Sequence, residues 1–198
     1  MVRRGVLVAT ALATLGLISA CGGGMGGMDH GSGSSTGSAP AGATFNDADV
    51  MFAQMMIPHH QQAVQLATLA DTKASDPEIK QLAAQIKAAQ DPEITTMSGW
   101  LTGWGRPSAA AGGHSMPGMS GMPGMMSEQE MTALSQATGT DFDRRFARGM
   151  IAHHNGAIQM AKDEQANGKN ADARALAATI EKAQADEVTK LQKILDRL

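Results

Sequence analysis

The chain predicts an all-α protein, an antiparallel four-helix bundle built from two copies of one helical hairpin. Two observations carry this reading. A pattern that begins at Asp49 returns at Asp143 with a constant offset of 94 residues. Within both copies apolar residues recur at helical spacing, and no segment alternates with period two. Phe52, Met56, Ile57, His59, His60, Ala63, Gln65 and Ala67 return as Phe146, Met150, Ile151, His153, His154, Ala157, Gln159 and Ala161. Further on, Leu82, Ile86, Gln90, Glu93 and Leu101 return as Leu176, Ile180, Gln184, Glu187 and Leu195. The repeated unit is therefore about two helices long, and a single duplication of that size suits two hairpins sharing one core.

Residues 1–20 read as a signal peptide. Arg3 and Arg4 precede an apolar run from Val6 to Ile18, too short for a membrane span, and small residues lead to Cys21. Cys21 is the only cysteine and is followed by three glycines. This resembles the lipobox of bacterial lipoproteins, in which that cysteine is lipidated. Residues 21–44, rich in Gly, Ser and Ala, then read as a lipidated Cys and a flexible tether to the membrane. With Cys21 so committed, the domain has no disulfide and depends on packing.

The bundle spans residues 45–198. Its first helix runs from about Asn46, as N-cap, to Lys73. The second begins at Ser75-Asp76-Pro77-Glu78, where proline suits the first turn, and fades between Gly99 and Gly105. Residues 105–126 form a Gly, Pro and Met-rich linker without the pattern of a core. Ser127-Glu128-Gln129-Glu130 is a capping-box sequence, so a short helix starts there. The third long helix runs from about Thr140 to Asn167 with Gly168 as C-cap, and the fourth from about Asn170 to the C-terminus. Pro58 and Pro92 fall inside helices and should kink them.

The core stripes contain polar exceptions. If the first hairpin turns near residue 74, His59 lies level with Gln90 and Met56 with Glu93. The second hairpin repeats this with His153 and Gln184, and with Met150 and Glu187. The exceptions of all four helices thus share one layer. Buried imidazoles and carboxylates are costly unless paired or metal-bound. Adjacent histidines point about 100° apart round a helix, so each pair must face two directions. The sequence does not tell which histidine faces inward.

Met56, His59, His60, Met150, His153 and His154 are the candidate metal ligands. Glu93, Glu187, Gln90 and Gln184 are further ligands or partners that orient them. The linker adds His114, Met116, Met119, Met122, Met125 and Met126, thioethers that no core would occupy. Thioether and imidazole together favour Cu(I), whereas imidazole with carboxylate favours Cu(II).

The formal charge of −3, made more negative if Arg3 and Arg4 are removed, leaves no basic stripe and argues against a nucleic-acid partner. No nucleophile and base are paired in the sequence, and no phosphate-binding glycine loop stands beside a strand. An enzyme is not expected.

The paired Met-Ile-Pro/Ala-His-His blocks, each followed by a Gln-x-x-Glu segment, resemble the bacterial domain-of-unknown-function 305 family, which includes CopM-like copper-binding proteins. The similarity extends over about residues 45–198. It implies a ferritin-like four-helix bundle, an extracytoplasmic location and copper binding linked to copper tolerance. Met56, His59, His60, Met150, His153 and His154 match the family's motif.

The leading expectation is a copper-binding lipoprotein, anchored to a bacterial membrane through Cys21, that sequesters, stores or transfers the ion. The sequence leaves open a homo-oligomer or a copper-transfer partner protein. An alternative is a structural or adaptor lipoprotein whose buried His–Glu layer holds no metal. A ferritin-type di-metal oxidase is a third reading, weakened because such sites use Glu-x-x-His, which is missing here.

Overall fold

The computed structural model of the chain describes residues 42–108 and 122–198. The described residues form five helices and no strand: α1 (Asp47–Lys73), α2 (Pro77–Gly103), α3 (Glu128–Gln136), α4 (Gly139–Asn167) and α5 (Ala171–Arg197). Among them no helix is long and apolar enough to cross a membrane.

Local chemistry sets most of the boundaries. The Asn46 side chain accepts the Ala48 and Asp49 amides, and Asp49 accepts the Asn46 amide in return, a closed capping box. Asp76 caps α2 ahead of Pro77, Ser127 forms a capping box with Glu130 at α3, and Asn170 caps α5. Helical structure continues through Pro58 in α1 and Pro92 in α2.

Gly168 is the C-cap of α4, as expected, but not through a left-handed turn. It ends α4 with φ −67°, an extended and not a left-handed conformation. Its repeat mate Ala74 ends α1 with nearly the same angles, φ −69° and ψ 143°, so the turn itself needs no glycine. The reason for glycine is space: a Cβ at 168 would collide with the Glu164 side chain, where the first copy has Ala70.

α1 packs along α2 and α4 along α5, and the two hairpins meet chiefly through α1 and α4. Two buried aspartates at the α1–α4 interface fix its direction. Asp143, near the start of α4, accepts the Ser75 and Asp76 amides and the Ser75 hydroxyl in the turn after α1. Asp49, near the start of α1, accepts the Lys169 and Asn170 amides in the turn after α4. Each helix start therefore lies beside the other's end, and α1 and α4 are antiparallel.

Two apolar clusters result. One collects the C-terminal half of α1 and the N-terminal half of α4, with Leu66, Ile79, Ile86, Phe142, Phe146 and Met150. The other collects the opposite halves, with Phe52, Met56, Ile57, Met97, Leu101 and Ile180. Leu134 of α3 is buried in the first cluster. Between the clusters lie His59, His60, His153, His154, Gln90 and Gln184, all buried.

Candidate metal centre

The histidine pairs sit at mid-length of α1 and α4. The 100° step between neighbours divides each pair between two interfaces. His59 and His153 face each other across α1–α4, with ring centroids 3.7 Å apart and planes tilted by 38°. His60 and His154 turn instead towards their own hairpins. His60 Nε2 donates to Glu93 Oε2 at 2.7 Å, and His154 Nε2 lies 2.8 Å from Glu187 Oε2. The second contact is close but not aligned as a hydrogen bond, and His154 Nε2 has no bonded partner.

The hairpin register sets Glu93 level with Met56, one turn from His60. The two nevertheless meet, because helical side chains lean towards their own N-terminus. In an antiparallel hairpin these leans converge, so His60 and Glu93 close the gap from both sides. The same argument joins His154 to Glu187.

The electrostatics follow from burial. Desolvation pushes the His59 imidazole down to about 3, against a smaller upward pull from the Pro123 carbonyl and further lowering by His60 and His154. Desolvation drives His153 well below the ordinary histidine range, helped by His59, His154 and His60. Both rings are neutral at pH 7. His59 Nε2 lies 3.1 Å from the Pro123 carbonyl, which only accepts, so that nitrogen carries the proton and Nδ1 keeps its lone pair. His59 Nδ1 has no partner, and neither does either nitrogen of His153. The amide oxygens of Gln90 and Gln184 are likewise buried and unpartnered.

Such orphaned groups cost about 1–3 kcal/mol each. An arrangement selected only for stability would not leave five nitrogen and oxygen atoms of His59, His153, Gln90 and Gln184 unsatisfied. Neutral imidazoles with free lone pairs are, however, the form a metal requires, with no proton to displace. Met56 and Met150 are fully buried, one in each apolar cluster bordering the layer. Glu93 and Glu187 remain slightly exposed, at 16% and 13% of their side-chain surface. Among the described residues no three or more His, Cys, Asp or Glu side chains group together to hold a metal. Imidazole and thioether donors together suit a soft monovalent cation.

The linker differs from expectation where it is described. Met122, Met125 and Met126 are half-buried, not freely presented. Gln62 clasps Met126 by both backbone groups, with its amide donating to the Met126 carbonyl at 2.9 Å and accepting the Met126 N–H at 2.8 Å. Pro123 crosses α4 at Gly156 and Met126 packs on Gly149, where any Cβ would collide with them. Gly124, with φ +78°, runs against the α4 backbone at Ala152 and His153. Residues 122–126 thus form a strap over the His59–His153 stack. The repeat concealed this, because Gly149 and Gly156 stand where the first copy has Met55 and Gln62. Cys21, His114, Met116 and Met119 lie outside the described residues.

Sequence reasoning also passed over Asp49, Asp143 and Glu164. Glu164 is 2% exposed and lies against the Asp49 carboxylate, which can accept its proton. Burial first, and the neighbouring Asp49 second, push its carboxyl up to about 8.

Two hairpins joined through a buried imidazole layer define a histidine-containing helical domain, and comparison identifies its family. The profile of DUF305, the domain of unknown function 305, matches residues 49–195, and the chain belongs to that family. A DUF305 protein of Streptomyces coelicolor, inferred to be secreted, is 30% identical, with a TM-score of 0.69 over 76% of this chain and 93% of its own. A DUF305 fragment from Deinococcus radiodurans is 31% identical, with a TM-score of 0.68 over 77% and 97%. CopM in its Cu(II)-bound form is 35% identical, with a TM-score of 0.64 over 75% and 96%. CopM has also been solved with Cu(I) and with silver. No curated protein matches the chain.

Proposed function

We propose that the protein binds copper outside the cytoplasm, as cargo to be sequestered, stored or passed on, and has no catalytic role. The observation that carries this is the buried layer of four imidazoles, in which His59 and His153 stack with three of their four ring nitrogens unpartnered. His59 and His153 would supply nitrogen ligands, with Met56 and Met150 supplying thioethers from either side. Glu93 and Glu187 would orient His60 and His154 and add oxygen ligands for Cu(II). Copper-bound CopM, about one-third identical, supports the choice of ion.

The two hairpins are read as an antiparallel four-helix bundle of the ferritin-like kind, supported by the antiparallel pairing of α1 with α4. Export and lipidation at Cys21 are read from residues 1–24, and export alone is supported by the Streptomyces relative. Lipid-modified peptide in the mass spectrum of a membrane fraction would bear this out; a soluble chain retaining residues 1–20 would refute it.

The competing reading is a structural layer in which His60–Glu93 and His154–Glu187 hold the helices in register. An anaerobic Cu(I) titration of the full chain in mild detergent against a chromophoric chelator separates the two. The control carries His59, His60, His153 and His154 all changed to Ala, with helicity checked. Tight binding that is lost in the folded control is the expected result. No competition with the chelator by the native chain would leave the structural reading standing.

A further inference from the structure

Beside the histidine layer, α1, α4 and Pro123 line an open cavity of about 250 Å³. Met51, Phe52, Met55, Met160, Asp163 and Glu164 line it. Met51 stands 60% exposed, the only large apolar side chain so placed among the described residues. Met55 is half-buried and Met160 almost fully buried, so the thioethers run from surface to interior. No lysine or arginine lines the cavity, while two carboxyl groups do. One of these, Glu164, is buried beside Asp49.

The duplication shows that this is not a by-product of the helical hairpin. At the equivalent places the other half has Arg145 for Met51, Gly149 for Met55, Leu66 for Met160 and Ala70 for Glu164. There Met126 covers Gly149 and Met131 of α3 packs on the core. One half of the α1–α4 groove is closed by apolar packing. The other is open and furnished with sulfur and carboxyl groups.

We infer that this cavity is a separate binding site for a soft monovalent cation, Cu(I) or Ag(I), held by the thioethers of Met51, Met55 and Met160 with Asp163 balancing its charge. Thioethers are uncharged and soft, and select such ions over Zn²⁺, Mg²⁺ or Ca²⁺. The inference deepens the copper reading and rests on it for the identity of the ion. It also places the site in line with the first. Pro123 lines this cavity and its carbonyl meets His59, so one residue separates the thioether site from the imidazole stack.

The test is Ag(I) titration of the full chain in detergent, comparing native protein with M51L/M55L/M160L and with the four-histidine variant. Leucine keeps volume and apolarity, so folding should survive. Loss of one bound equivalent in the leucine variant, with that equivalent retained in the histidine variant, is the result expected. Unchanged stoichiometry and affinity in the leucine variant overturn the inference, and if the histidine variant then loses binding the copper reading still stands. Loss in the leucine variant alone supports the cavity and removes the imidazole layer as a metal site. Should the leucine variant not fold, methyl-labelled native protein decides. Ag(I) should shift the ε-methyl resonances of Met51, Met55 and Met160, and unmoved resonances refute the site.

Discussion

His59 and His153 lie ring against ring across the α1–α4 interface, 3.7 Å between centroids, with His153 making no hydrogen bond through either nitrogen. Stability alone gives no reason to bury such a residue, and this separates His153 from His60, whose Nε2 is bonded to Glu93.

The two histidines should therefore respond oppositely to the same substitution. His153→Leu removes an unsatisfied polar group and should leave the metal-free protein unchanged or stabilised by about 1 kcal/mol. Cu(I) affinity should fall at least tenfold. His60→Leu strands the Glu93 carboxylate and should cost about 1–2 kcal/mol. Urea melts of apo protein beside chelator competition measure both. A destabilised His153→Leu protein with intact affinity would reverse the assignment.

Glu164 sets a pH dependence. Its folded pKa of about 8 lies above the ordinary 4.5, so the folded state holds a proton that the unfolded state releases. This contribution is complete below about pH 4.5 and is lost as pH rises to about 8. Between those limits the melting temperature of the metal-free protein should carry a falling component. Glu164→Gln, which stays neutral beside Asp49, should remove that component. A parallel pair of Tm–pH curves would contradict it.

The strap depends on one glycine above all. Gly156→Ala drives a methyl into the Pro123 backbone, whereas Gly149→Ala meets only the flexible end of the Met126 side chain, which can turn aside. Gly156→Ala should therefore unseat residues 122–126 while sparing the helices. The Met126 amide, bonded to Gln62 Oε1, reports this directly. Its hydrogen exchange should accelerate at least tenfold in Gly156→Ala, with exchange in α2 and α5 unaltered.

Asp143 accepts three donors from the first turn, all from Ser75 and Asp76. Asp143→Ala leaves them without a protein acceptor in a partly buried place and should cost roughly 2–4 kcal/mol in urea unfolding. A change below about 0.5 kcal/mol would show that water replaces the carboxylate there.

Much of this was legible in the sequence for identifiable reasons. Caps act through neighbouring residues, so Asn46, Asp76, Ser127 and Asn170 declare helix starts without tertiary knowledge. The polar layer was visible because Gln90, Glu93 and their mates interrupt apolar stripes. What escaped depends on helices meeting. Asp49 and Asp143 look like ordinary first-turn acids, and only the antiparallel α1–α4 pairing makes each a receptor for the other hairpin's amides. Gly149 and Gly156 read as weak helix residues until a strap lies across them. The thioether cavity had one available signal, the points where the copies part: Met51 against Arg145, and Glu164 against Ala70. Similarity drew attention to the shared histidines, and the differences marked what one half alone had acquired.

The crossed aspartates have a further consequence. Neither hairpin supplies the acceptor that completes its own turn; each takes it from its sibling. In effect the chain is a pseudo-symmetric heterodimer written as one polypeptide, and the covalent link between its halves contributes proximity more than information. A nick between residues 109 and 121 should accordingly yield two fragments that remain together through gel filtration, and separately expressed halves should complement each other in trans. Asp143→Ala should weaken that complementation, because it removes a contact that the two fragments share.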